Sequence, residues 1–69
     1  MEDIRKKFGE RLRKIREVQS LTQEGLADLA GMHFTYIGQI ERGLRNPSLV
    51  NLHKLAKALK ISAGDLLPF

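Results

Sequence analysis

The stretch from Thr22 to Gly43 has room for two short helices, because Gly31 cuts its apolar pattern in the middle. Thr22 suits an N-cap, since its hydroxyl can accept from a backbone N–H left unpaired in the first turn. Leu26, Leu29 and Ala30 then face inward from a helix over Gln23–Ala30. Gly31 reaches the left-handed conformation cheaply and stops that helix. The next helix, Phe34–Arg42, has Ile37 and Ile40 as a narrow apolar stripe and is ended by Gly43. Phe34, Thr35, Gly38, Gln39 and Arg42 share its opposite face.

Two short helices joined by a tight turn with a glycine form a helix-turn-helix unit, here over about residues 23–42. Ala27 is small where the two helices approach most closely. Leu26, Ala30, Met32, Ile37 and Ile40 are apolar where the pair must bury a face. Thr35, Gln39 and Arg42 on the outer face are all able to hydrogen-bond DNA.

Ile4, Phe8, Leu12 and Ile15 recur at helical spacing and predict a first helix over Ile4–Gln19, with Arg5, Lys6, Arg13 and Lys14 facing water. Asn46-Pro47-Ser48 reads as a loop with capping residues, and Leu52, Leu55, Ala56 and Leu59 mark a fourth helix. Ser62 and Asp65 make a capping-box start for a last short helix through Leu66 and Leu67, ended by Pro68. The expected fold is all-α, five helices in a single domain over 1–69, with no strand, repeat or linker.

A 69-residue chain without cysteine has neither a disulfide nor a thiolate zinc site, and its core is marginal unless helix packing or oligomerisation adds burial. His33 and His53 are too few for a metal cage. A hydrophobic content of 42% excludes a disordered tail. No apolar run approaches the roughly 18 residues of a membrane helix. The charged start Met1-Glu2-Asp3-Ile4-Arg5-Lys6-Lys7 lacks the apolar stretch of a signal peptide, so a cytoplasmic location is expected. The net charge is +4, and seven of the twelve basic residues precede residue 17, which fits either a polyanion binder or a solvated basic face. No nucleophile sits beside a base, no carboxylates pair on one face, and no glycine loop cradles phosphate. No enzyme activity, cofactor, metal or small-molecule ligand is expected.

The runs Leu21-Thr22-Gln23-Glu24, Leu26-Ala27, Ala30-Gly31 and Ile40-Glu41-Arg42-Gly43 resemble the lambda Cro/repressor-type (XRE) family, as do Arg45-Asn46-Pro47-Ser48-Leu49 and Leu55-Ala56-Lys57-Ala58-Leu59. The similarity runs from Phe8-Gly9 to Leu67. It implies a five-helix lambda-repressor-like domain that binds double-stranded DNA sequence-specifically as a transcriptional regulator. Within the family, Gly31-Met32-His33-Phe34-Thr35-Tyr36-Ile37 and Arg45-Asn46 look most like the controller proteins of restriction-modification systems, short homodimers that act at their own promoter. A phage-type repressor, an antitoxin of the same fold, and a protein-interaction module without DNA binding remain the alternatives.

The resemblance implies roles for individual residues. Thr35 and Gln39 face base edges in the major groove, where glutamine can pair bidentately with adenine. Phe34 joins them, although controller proteins often carry arginine at this place; phenylalanine could pack on thymine methyls or turn away. Gln23, His33, Tyr36, Arg42, Arg45, Asn46 and Ser48 are expected to grip the DNA backbone, His33 having capping of its helix as the rival role. Arg16 and Glu41 are expected to form a structural ion pair inside the fold. Gly25 replaces the family's usual acidic residue, which weakens its helix by about 1 kcal/mol.

The end of the chain speaks for a partner. Ile61, Leu66, Leu67 and Phe69 are four apolar residues in the last nine, more than one short helix can turn onto its own core. A homodimer interface is expected at Leu66, Leu67 and Phe69, with Leu66 turned mostly inward. Two-fold symmetry would then match a near-palindromic operator with half-sites about 34 Å apart.

Overall fold

The computed structural model describes residues 3–69; Met1 and Glu2, included in the charged N-terminal reading and in the domain expected over 1–69, lie outside them. The described residues form five helices and no strand: α1 Ile4–Val18, α2 Gln23–Ala30, α3 Phe34–Glu41, α4 Leu49–Leu59 and α5 Ala63–Leu66. Each begins at a side chain that accepts a backbone N–H: Asp3, Thr22, His33, Ser48 and Ser62 respectively. Ser62 and Asp65 close a full capping box.

The first four helices end alike. A residue in the left-handed conformation (Ser20, Gly31, Gly43 or Lys60) turns the chain. The next N–H then reaches back to the helix: Leu21 to Arg16 O, Met32 to Ala27 O, Leu44 to Gln39 O and Ile61 to Ala56 O, at 2.9–3.1 Å. Each bond satisfies a carbonyl that would otherwise be unpaired at a helix end.

Helix bounds differ from the periodicity in explicable ways. α4 starts at Leu49, directly after its expected cap Ser48 and one turn ahead of the apolar stripe, so Leu49 and Val50 of its first turn are exposed. Gln19 and Arg42 become caps rather than members of α1 and α3. Leu67 is extended, with ψ 131°, as expected of a residue before proline.

Phe8 and Leu12 from α1, Leu26, Ala27 and Ala30 from α2, Ile37 and Ile40 from α3, Leu55, Ala56 and Leu59 from α4, and Leu66 from α5 make one buried core. α1 packs on α3, α2 on α3 and α4, and α5 closes over α1 and α4. Gly9 permits the α1–α3 contact: a Cβ there would lie 2.4 Å from the Ile40 carbonyl oxygen and 2.5 Å from that of Glu41.

Two residues expected inside are outside. Ile4 is 48% exposed, one turn before Phe8, where it lines an open cleft with Pro47, Leu52 and Phe69. Leu29 is 62% exposed. At about 100° per residue it lies roughly 100° from the middle of the stripe formed by Leu26, Ala27 and Ala30. Leu66, expected at a partner interface, is fully buried in its own core and is closed to any partner. Leu67 stays half-buried and Phe69 is 85% exposed.

Candidate nucleic-acid interface

α3 is short and sharply two-sided. Ile37 and Ile40 are fully buried, while Phe34, Thr35 and Arg42 are exposed. At its start, His33 Nδ1 accepts from the Thr35 N–H at 3.2 Å, so this nitrogen serves as the helix cap. The His33 ring stacks on Phe34 with centroids 5.1 Å apart. Phe34 therefore stays at the surface against an imidazole, not against the core.

Phe34, Thr35, Gly38 and Arg42 line one groove with Arg13, Arg16, Gln23 and Glu41. Beneath it lies a buried network. Arg16 Nε donates to Glu41 Oε2 at 2.6 Å and Arg16 Nη2 to Glu41 Oε1 at 3.0 Å. Arg16 Nη1 also donates to the Leu21 carbonyl at 2.7 Å. Hydrogen bonding to Glu41 holds the pKa of Arg16 above its ordinary value, against the opposing cost of burial. Gln23 Nε2 donates to Glu41 Oε1 at 3.1 Å, so one N–H of the expected phosphate gripper is committed to this network and one remains. Its carbonyl oxygen lies 3.3 Å from where a Cβ would stand on Gly38, so the amide crosses α3 at the one position without a side chain. Among the described residues, no buried side-chain nitrogen or oxygen lacks a partner.

A second group lies toward the end of α3. Gly43, with φ +77°, turns the chain back; a Cβ there would come within 2.6 Å of Lys6 Cγ. The turn brings Arg45 home: its Nε donates to Gln39 Oε1 at 2.9 Å. The Arg45 guanidinium carbon also lies 5.8 Å from the centre of the Tyr36 ring. The Tyr36 hydroxyl accepts from Asn51 Nδ2 at 3.1 Å. Ser48 Oγ caps α4 by accepting from the Asn51 N–H at 3.1 Å. Asn46 stands apart, in the cleft lined by Ile4, Phe8, Pro47 and Leu52.

Most of the expected residues fall into two clusters. Gln23, Phe34, Thr35 and Arg42 share the groove, with His33 stacked on Phe34; Tyr36, Gln39 and Arg45 are linked to one another, and Ser48 adjoins them through Asn51; Asn46 joins neither. Two participants escaped sequence reasoning. Arg13 lines the groove although its charge read as solubilising, and its spacing of three from Arg16 was the available signal. Asn51 holds Tyr36, and an asparagine three residues after a capping serine was the only hint.

The helix-turn-helix family HTH_3 matches residues 12–66 of the chain. The control protein C.BamHI of Bacillus amyloliquefaciens is 48% identical over 68 residues, covering 97% of this chain and 84% of that protein. The control protein C.SmaI of Serratia marcescens is 46% identical over 65 residues, covering 94% and 77%. Among solved structures, the restriction-modification controller protein C.AhdI from Aeromonas hydrophila superposes with a TM-score of 0.90 at 51% identity, covering 91% of this chain and 96% of that one.

Proposed function

This chain belongs to the HTH_3 helix-turn-helix family, and on that premise we propose that it is the homodimeric controller protein of a restriction-modification system, binding a near-palindromic operator at its own promoter. It is a regulator and not an enzyme, as its relatives are control proteins and transcriptional regulators. It acts in the cytoplasm as one domain over residues 1–69.

The observation that carries this reading is the two-sidedness of α3: Ile37 and Ile40 hold it in the core while Phe34, Thr35 and Arg42 are exposed on the outer side, near the linked pair Gln39 and Arg45. On this reading Phe34, Thr35 and Gln39 meet base edges. Gln23, through its remaining N–H, and His33, Tyr36, Arg42, Arg45, Asn46 and Ser48 meet the phosphate backbone. The N-termini of α2 and α4 add the unpaired N–H groups that favour an anion. The molecule measures 33 × 23 × 23 Å, so two copies side by side can set their α3 helices one turn of DNA, about 34 Å, apart.

Titration of the DNA upstream of its own gene across a range of salt concentrations tests the proposal. A dimer that neutralises about six to eight phosphates gives log K falling against log salt with a slope near −5 to −7. No binding, or a response flat in salt, overturns it.

A further inference from the structure

The Arg45–Gln39 hydrogen bond changes what Gln39 can offer a base. A glutamine free at both ends reads adenine by accepting from N6 through its carbonyl and donating to N7 through its amide. Here Oε1 already accepts from Arg45 Nε at 2.9 Å. The backbone reinforces the arrangement, since the Leu44 N–H donates to the Gln39 carbonyl at 2.9 Å and brings Arg45 back over α3. The Tyr36 ring backs the guanidinium at 5.8 Å, and Asn51 holds the Tyr36 hydroxyl from α4. Arg45 is thus steadied from the ring side as well as by Gln39.

The remaining lone pair of Oε1 lies beside a full positive charge, which repels the N6 amino group of adenine. The amide Nε2 and the guanidinium nitrogens are left, and all of them are donors. Guanine is the base that presents two acceptors, O6 and N7, in the major groove.

We propose that Gln39 and Arg45 act as one donor-only reading unit that selects guanine, with Arg45 setting the specificity of Gln39 in addition to any contact of its own. This rests on the DNA-binding reading above and adds to it a base and the residue that chooses it. Arg45 is exposed, so its removal leaves the core untouched.

Selection from randomised duplexes at low salt tests the idea with the wild type, Gln39→Ala, Arg45→Ala and the double variant, each checked for unchanged helical content. The position whose preference disappears in Gln39→Ala is the one Gln39 reads. Wild type should favour guanine there, and Arg45→Ala should move the preference toward adenine by about tenfold. The double variant should show no preference at that position. Wild-type preference for adenine overturns the proposal, as does an Arg45→Ala profile that is weaker everywhere but unchanged in shape. Failure of the wild type to select any duplex defeats the DNA-binding reading itself, an outcome distinct from either of these.

Discussion

Arg16 and Glu41, on different helices, face each other through two hydrogen bonds with side chains only 9% and 3% exposed. Removing one partner strands the other charge out of water, which typically costs about 3–5 kcal/mol. A domain of this size has roughly 3–10 kcal/mol in all. Glu41→Ala should therefore lose about a third or more of the total stability, with a lowered melting temperature and no DNA present. Arg16→Met combined with Glu41→Leu should recover most of the loss, because no lone charge remains. Urea denaturation of the wild type and these two variants decides it, and a Glu41→Ala loss under about 1 kcal/mol means that the pair contributes little.

Ser20 and Lys60 occupy the left-handed conformation at φ 59° and 58°, where Gly31 and Gly43 serve at the other two helix ends. A side chain there costs about 1–2 kcal/mol, partly offset by the greater freedom that glycine gives the unfolded chain. Ser20→Gly and Lys60→Gly should each stabilise by about 0.5–1 kcal/mol, raising Tm by a few degrees. Calorimetry of each variant measures this, and a fall in Tm at both positions contradicts it.

Leu66 and Phe69 are three residues apart and opposite in consequence. Leu66 is fully buried, and Leu66→Ala should cost about 2–5 kcal/mol in any assembly state. Phe69 is 85% exposed, so Leu67→Glu with Phe69→Glu should keep the helical signal. If these residues form the dimer interface, that double variant sediments as a monomer at micromolar concentration. A dimer in that variant moves the interface elsewhere, with the exposed Leu49 and Val50 of α4 as the next candidates.

Asp3 caps α1, and its hydrogen bonds to Arg5 hold its carboxyl below the ordinary value of 3.8. A group with a lowered folded value binds protons more readily in the unfolded chain. Its stabilisation is complete above the ordinary value and is lost as pH falls through the folded one. Asparagine also caps helices but does not titrate. Acidification from about pH 5 to 3 should weaken the wild type more than Asp3→Asn, with the two parallel above about pH 5. Thermal melts across that range show whether the curves separate.

Much of this molecule is legible from residue order because its helices are bounded by local chemistry. Thr22, Gly31, Gly43 and the Ser62–Asp65 pair act within a few residues of themselves, and each marks a real helix end. The left-handed backbone at Ser20 and Lys60 was not legible, because nothing in their side chains favours it. Leu29 and Ile4 fit the period, but period alone does not say how wide the covered stripe is. The candidate surface was readable as a set of residue types. Its wiring was not: that Gln23 binds Glu41, and Gln39 binds Arg45, depends on side chains meeting across a turn.

Gly9 lets α1 lie directly on the carbonyls of Ile40 and Glu41, and the Ile40 carbonyl is the one that accepts the Gly43 N–H at 3.0 Å. Gly43 itself is buried under Lys6 although it belongs to a turn. Exposing its amide proton to solvent should require α1 to lift away. In hydrogen-exchange terms, the turn after α3 is expected to open together with α1 as one cooperative unit. The Gly43 amide should exchange at the rate of global unfolding, where turn amides ordinarily exchange by local fraying.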